Sequence, residues 1–386
     1  MCDMAEAHIQ ATARPPALFP PSARLPRPRY GVRMSLDWPA VAATVRALGV
    51  PLADVVLSGS APLLAHGVIA QVSDIDLVAR GRAWEALAAR GEVHAGRRGD
   101  VMVDLDDGLQ VFSGWEGESA DGVMARATPI DGLLVASIAD VVAYKRRLRR
   151  SKDLEHLESL TRWADEMSDA ACVSRRAAAP LAHRREAGER LAPLIAAFAP
   201  PSPVVVALPR GGVPVAAPVA RALGCPLDVL VVRKLGLPAN PEYAFGAIGE
   251  GGEPLIDDRT VAAADLLPHE VERVIENERD ALARRIALYR EGRPPLSLVG
   301  ATAIVVDDGA ATGSTALAAV AVARALGAAQ VMVAVGAAPP DVIALLGRHA
   351  DRALAALTPE PFVSVGQWYR DFGQIADDEV LSTLRG

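Results

Sequence analysis

Cysteine, aromatic residues and long apolar runs are scarce in this sequence. The 386 residues include three cysteines, Cys2, Cys172 and Cys225, and their spacing matches none of the paired patterns that bind zinc. So few cysteines are typical of a protein in a reducing compartment. No apolar run has the length of a membrane span. We therefore expect a cytoplasmic protein without a membrane partner.

Positive charge is also in deficit, which limits the partners. The formal net charge of −7 argues against strong non-specific binding of nucleic acid. The length predicts two domains, and Met34 is an alternative translation start because the first folded pattern begins there. We assign a disordered, dispensable Pro/Arg-rich tail to residues 1–33, an N-terminal α/β domain to 34–165, a linker to 166–180 and a C-terminal domain to 181–386.

The most informative stretch is residues 302–315, with the sequence TAIVVDDGAATGST. Its apolar, β-branched beginning predicts a strand buried on both faces. Asp307 and Asp308 follow this strand, and a loop of small residues leads to a helix that begins near Ser314. A helix N-terminus preceded by glycines suits a phosphate, and carboxylates accept hydrogen bonds from a sugar diol. The stretch therefore predicts a sugar-phosphate site.

A second combination of strand, glycine turn and helix occurs at residues 204–214, where the turn reads PRGGVP. The backbone N–H groups of Gly211 and Gly212 and the guanidinium of Arg210 could grip two phosphates. A tight turn with a surface arginine is the simpler alternative. The presence of residues 302–315 in the same domain favours the phosphate site.

Residues 302–315 resemble the motif with which type I phosphoribosyltransferases bind 5-phosphoribosyl-1-diphosphate (PRPP). The segments RREAGERLA, ALPRGGVPVA, VRKLG and VGQWYRDF also recur in an uncharacterised bacterial group of this family. The resemblance implies a C-terminal α/β fold with a Rossmann-like parallel sheet. It also implies Mg²⁺ as cofactor, and it is compatible with a homodimer.

The resemblance assigns roles to individual residues. Asp307 and Asp308 would hold the ribose hydroxyls and take part in catalysis, together with Lys234 and Glu242. The 5′-phosphate would lie on the loop formed by Gly309, Ala310, Ala311, Thr312, Gly313, Ser314 and Thr315. The diphosphate would contact Arg210, Gly211, Gly212 and Arg233. A cis peptide is expected at Arg210–Gly211, and the Gly/Pro-rich residues 235–252 are expected to form a flexible lid.

The implied reaction transfers 5-phosphoribosyl from PRPP to a small nitrogenous acceptor, such as a nucleobase, and releases diphosphate. Ala311 stands where the hypoxanthine-guanine enzymes have an aspartate, so on that point the site resembles the adenine and orotate enzymes. A non-catalytic module that binds PRPP or a nucleotide to regulate a partner is the alternative.

The N-terminal domain contains Gly59-Ser60 followed, after thirteen residues, by Asp74-Ile75-Asp76. Alternate residues of a strand point to one face, so the two aspartates could share divalent ions while the Gly-Ser turn meets a triphosphate. The pattern resembles the nucleotidyltransferase superfamily and implies a small α/β domain that binds a nucleoside triphosphate. Nucleotidyl transfer is therefore a third functional alternative.

Active members of that superfamily usually have a third carboxylate on a later strand. Asp104 and Asp106 are candidates, but Gln110 occupies another suitable position.

At the other end of the chain, residues 361–372 gather four aromatic side chains. We expect this cluster to dock the C-terminal segment on the core rather than to stack an acceptor base.

Overall fold

The computed structural model describes residues 35–96, 98–105, 108–173 and 179–385. The predicted tail, residues 1–33, and the candidate carboxylate Asp106 lie outside these residues. Among the described helices, none combines the length and the apolar composition that crossing a bilayer requires.

The N-terminal part is built on a mixed seven-stranded sheet with the order β3-β4-β5-β2-β1-β9-β8. Its strands are β1 (Val55–Ser58), β2 (Ile75–Ala79), β3 (Val93–Ala95), β4 (Val101–Leu105), β5 (Leu109–Phe112), β8 (Thr128–Ile130) and β9 (Leu133–Val135), and β6 (Gly114–Trp115) and β7 (Glu118–Ser119) form a separate ribbon. The helices are α1 (Trp38–Arg46), α2 (Ala61–Ala65), α3 (Gly81–Ala88) and α4 (Ala120–Arg126). The sequence predicts strands at 101–105 and 109–112, joined by the turn signal Asp107-Gly108. Both strands are confirmed, and they pair antiparallel.

Three helices connect the two sheets: α5 (Ile138–Leu148), α6 (Ser151–Val173) and α7 (Arg184–Phe198). Helix α6 continues through the first part of the segment that we interpreted as a linker, because alanine and acidic residues there favour a helix. Helix α7 packs against both α5 and α6. One apolar cluster therefore contains residues from both parts of the chain, including Val141, Leu160 and Leu191.

The C-terminal part is built on a five-stranded, fully parallel sheet with the order β11-β10-β15-β16-β17. Its strands are β10 (Pro203–Ala207), β11 (Leu227–Val229), β15 (Thr302–Gly309), β16 (Gln330–Ala337) and β17 (Arg352–Leu357). The surrounding helices are α8 (Gly212–Leu223), α9 (Asp258–Ala263), α10 (Pro268–Arg290), α11 (Ser314–Ala325), α12 (Pro340–Gly347) and α13 (Asp377–Arg385). The predicted α/β class with a parallel sheet is confirmed. Strand β15 is buried along its apolar part, as its composition predicts.

Residues 235–252 are mostly strands rather than the expected long irregular loop, and their movement as a lid stays a prediction. Residues 232–256 form a three-stranded antiparallel sheet of β12 (Val232–Leu237), β13 (Asn240–Gly249) and β14 (Pro254–Ile256). Glycine and proline misled the prediction, since Gly236 lies at a register shift of the β12–β13 ladder, where a bulge accommodates it. The sequence also predicts a single strand at 226–232, and the structure divides this segment between β11 and the start of β12.

The C-terminal aromatic cluster docks on the core, as predicted. Leu181 forms an isolated parallel bridge with Tyr369, whose side chain is buried. The rings of Tyr369 and Phe372 stack with their centroids 5.2 Å apart, and those of Phe362 and Trp368 stack at 6.5 Å. The segment thereby closes over the carboxyl end of β15.

Candidate active site

The carboxylates of Asp307 and Asp308 stand at the carboxyl end of β15, where open α/β sheets commonly bind ligands. The backbone N–H of Asp308 donates a hydrogen bond to Oδ1 of Asp307 over 2.8 Å. Burial and the neighbouring Asp308 charge raise the pKa of Asp307 well above its ordinary value. The pair therefore holds one carboxylate in surroundings that disfavour its charge.

Asp308 is held by a cation that the sequence did not reveal as a site residue. Nε of Arg184, the first residue of α7, donates to Oδ2 of Asp308 over 2.8 Å, and both side chains are mostly buried. The same guanidinium lies 3.8 Å from the ring centroid of Phe372 and donates to the carbonyl of Gly373. The hydroxyl of Tyr369 donates to the backbone carbonyl of Asp308 over 2.6 Å.

The turn after β10 lies directly against the acidic pair. Strands β10 and β15 run parallel and in register, with Ala207 opposite Val306, so both loops leave the same edge of the sheet. A methyl group added at Gly211 would overlap the Asp308 carboxylate, and one at Gly212 would overlap the carbonyl of Val306. Glycine is therefore required at both positions for this close approach.

The cis peptide of this turn lies at Pro209–Arg210, one bond earlier than the expected Arg210–Gly211. Gly211 already has helical dihedral angles as the residue before α8, so the non-helical part of the turn ends before it. The guanidinium of Arg210 is half-buried, and its Nη1 lies 3.9 Å from Oδ2 of Asp377.

The loop between β15 and α11 has the features of a phosphate-binding turn. Gly313, with φ of 76°, precedes the helix in a left-handed conformation that favours glycine. The hydroxyls of Thr312 and Ser314 lie 3.0 Å apart at the start of the helix. The two hydroxyls therefore lie at the N-terminus of α11, the positive end of the helix dipole, which suits an anion.

Three cavities surround these loops. The first, of about 420 Å³, is lined by Pro209, Arg233, Lys234, Arg285 and Thr315, among others. The second, of about 470 Å³, is lined by Arg184, Arg210, Gly211, Arg285 and Asp308 together with residues 372–375. The third, of about 750 Å³, is more apolar and includes Thr312, Ser314 and Tyr243. The structure thus distributes the predicted residues around adjoining cavities.

The candidate basic residues lie on the antiparallel sheet formed by residues 232–256. Arg233 and Lys234 are the second and third residues of β12, and Nε of Arg233 donates to Oε2 of Glu278 over 2.6 Å. Glu242 lies within β13, but its side chain is not among those that the structure describes. The neighbouring Tyr243 is exposed.

A separate cavity of about 350 Å³ lies in the N-terminal part and contains Gly59, Ser60, Asp74 and Asp76. Gly59 has φ of 63°, and a methyl group there would overlap the Asp76 carboxylate. Burial and the charge of Asp74 raise the pKa of Asp76 to about 6. The Gly-Ser turn and the aspartates are therefore close together, as the motif predicts.

The strand position beside Asp76 holds an amide rather than a carboxylate, although Asp100 and Glu116 also line the cavity. Gln110 on β5 stands in register beside Asp76, and its amide donates to Asp104 over 2.7 Å. Within the described residues, no three His, Cys, Asp or Glu side chains are grouped so that they could hold a metal ion. Lysines occupy the vicinity instead: Nζ of Lys152 lies 3.8 Å from Asp74, and the buried Lys145 donates to Oγ of Ser60 over 3.1 Å.

Comparison with known proteins points to one family for the C-terminal part. Residues 195–344 match the family model described as "Phosphoribosyl transferase domain". Two Mycobacterium tuberculosis proteins, from strains CDC 1551 and H37Rv, are each named "Putative phosphoribosyl transferase" and are 47% identical over 201 residues, or 52% of this chain. The match covers 45% of each relative, so the chain spans about half the length of the curated relatives it matches.

A solved structure supports the same grouping. The crystal structure of TT1426 from Thermus thermophilus has 42% sequence identity and a TM-score of 0.50. The similarity covers 53% of this chain and 97% of the Thermus protein.

Proposed function

Because the chain belongs, through its C-terminal half, to the type I phosphoribosyltransferase family, we propose that it transfers 5-phosphoribosyl from PRPP to a nitrogenous acceptor. The observation that carries the proposal is the contact between two loops at one edge of the parallel sheet. The turn at Gly211 abuts the carboxylate of Asp308, and the hydroxyl-rich loop at Thr312 continues from the same strand. A ligand with a diphosphate, a diol and a second phosphate matches these three features.

In this reaction the bond between ribose C1 and the diphosphate oxygen breaks, and a bond from C1 to the acceptor nitrogen forms. Positive charge develops on the ribose and negative charge on the leaving diphosphate, so the site has to stabilise both. Asp307 and Asp308 would accept hydrogen bonds from the ribose hydroxyls and lie beside the developing positive charge. Arg210, Arg233 and the N–H group of Gly211 would bind the diphosphate. The N–H of Gly212, also expected to contribute, already donates to the carbonyl of Leu208 over 3.0 Å.

The residues of this site could supply only a few of the oxygen ligands that Mg²⁺ needs. The chain offers the Asp307-Asp308 pair as its oxygen ligands, and Arg184 already binds one of those oxygens. Mg²⁺ commonly binds through one or two carboxylates together with substrate phosphates and waters, so most of its ligands would come from PRPP. When bound, it would neutralise part of the diphosphate charge.

The alternative is a PRPP-binding regulatory module. The basic side chains around the first two cavities favour the enzyme, because catalysis has to neutralise a leaving diphosphate whereas a sensor need not. The test measures PRPP binding by calorimetry and diphosphate release across a panel of nucleobases and amines. Binding with turnover supports the transferase; binding without turnover on any acceptor supports the module; and no PRPP binding contradicts both.

A second candidate activity belongs to the N-terminal cavity, where Ser60, Asp74 and Asp76 lie together. We propose that it binds a nucleoside triphosphate weakly and does not transfer nucleotidyl groups. Gln110 beside Asp76 supports this, because an amide is a poorer Mg²⁺ ligand than a carboxylate. Calorimetry with ATP and Mg²⁺ tests it, and tight binding with rapid turnover that is lost in Asp74→Ala would contradict it.

A further inference from the structure

Arg285 lines both of the cavities that adjoin the glycine turn. It belongs to α10, whose residues Val274 and Glu278 also line the first cavity. These residues share one face of the helix, because four, seven and eleven residues correspond to nearly whole turns. The helix therefore presents an arginine on the face that also buries Leu282 and Tyr289.

The carboxylates that line these cavities are already bound by other arginines. Glu278 accepts from Arg233 over 2.6 Å, and Asp308 accepts from Arg184 over 2.8 Å. Among the described residues, Arg285 itself has no hydrogen bond or ion pair, although its side chain is half-buried. A half-buried guanidinium without a counter-ion in the protein is available to bind a ligand that carries negative charge.

Each cavity has an excess of positive charge. The first contains Arg233, Lys234 and Arg285 with a single carboxylate, that of Glu278. The second contains Arg184, Arg210 and Arg285, again with a single carboxylate, that of Asp308. Arg285 is the cation common to both, so a ligand that contacts it can extend from the glycine turn toward the start of β12.

We propose that Arg285 is a second guanidinium for the diphosphate of PRPP and reaches it from α10, whereas Arg210 reaches it from the glycine turn. This assignment rests on the proposed function for its ligand, and it identifies a binding residue outside the loops that carry the motifs. Two guanidinium groups on different elements would fix the orientation of the diphosphate as well as neutralise it.

The test compares Arg285→Gln with Arg284→Gln, because Arg284 is the exposed neighbour on the same helix. Calorimetry measures three probes: inorganic diphosphate, PRPP and ribose 5-phosphate. Arg285→Gln should lower the affinity for diphosphate and for PRPP about tenfold or more, while the affinity for ribose 5-phosphate changes by less than about twofold. Arg284→Gln should change none of the three affinities. Unchanged diphosphate affinity, equal loss of ribose 5-phosphate, or a wild type that does not bind diphosphate would overturn the assignment.

A second measurement covers the case in which Arg285→Gln fails to fold. Phenylglyoxal modifies accessible arginines, so peptide mapping of the wild type should show Arg285 labelled without ligand and protected by diphosphate. Labelling that diphosphate does not change would overturn the assignment. Failure of the proposed function would look different, because diphosphate binding would depend on Arg285 although no acceptor gives turnover.

Discussion

Nε of Arg184 donates a hydrogen bond to Oδ2 of Asp308 across a separation of 124 residues in the sequence. The contact ties the first turn of α7 to the end of β15. The ring of Phe372 lies against one face of the same guanidinium, so the C-terminal segment also contributes to this contact. One of the two carboxylates in the candidate active site is thus fixed by elements that lie outside both binding loops.

This contact predicts that Arg184→Gln lowers both stability and PRPP affinity. Removing the cation leaves a mostly buried carboxylate without its charged partner, which costs about 1.5–3 kcal/mol of unfolding free energy. Urea unfolding and PRPP calorimetry measure the two effects. Arg185→Gln is the matched control, since Arg185 forms an exposed pair with Glu189. Equal unfolding free energies for Arg184→Gln and wild type would contradict the prediction.

The raised pKa of Asp76 predicts that Asp76→Asn increases the stability of the fold by an amount that depends on pH. A carboxyl whose folded pKa is about 6, against 3.8 for the ordinary group, favours folding at low pH and loses that contribution as the pH rises through 6. The Asn variant should therefore be more stable than wild type at pH 7, by at most about 3 kcal/mol, and the difference should shrink between pH 6 and pH 4. Unfolding midpoints measured across pH 4.5–8 test this, and parallel curves for the two proteins would refute it.

The position of Gln110 predicts that Gln110→Asp creates a better metal site. The new carboxylate would stand in register beside Asp76, completing three acidic side chains with Asp74. Mn²⁺ affinity, measured by calorimetry or electron paramagnetic resonance, should rise by about tenfold or more. Gln71→Asp, a change on the same part of the chain outside that cavity, should not produce this rise. If Gln110→Asp binds Mn²⁺ no better than wild type, the three positions do not form one site.

Local patterns predicted much of the fold. The sequence predicts a helix at 138–148 and strands at 101–105 and 109–112, and α5, β4 and β5 have these bounds. Strand β15 and the turn at Gly313 follow from a motif that is contiguous in sequence. Domain boundaries and the roles of the individual site residues stay predictions.

The features that sequence patterns missed depend on distant contacts. The β12–β13 hairpin contains proline and glycine, and its pairing is fixed by strands that meet only in the folded chain. Val271, Val274 and Leu282 recur at helical spacing and predict the helix α10, but this pattern does not show that Arg285 faces two cavities. Arg184 opens a segment that we recognised as recurrent, yet only the fold reveals its contact with Asp308.

The central claim is that Asp307 and Asp308 hold the ribose of PRPP, and the affinity of the Asp307→Asn/Asp308→Asn variant for PRPP tests it most directly. Asparagine keeps the size of each side chain but removes the charge that strengthens its hydrogen bonds. With the fold verified by circular dichroism, we expect the double variant to bind PRPP about tenfold or more weakly than wild type while binding inorganic diphosphate as before. Wild-type affinity for PRPP in the folded double variant would show that these carboxylates do not hold the ribose.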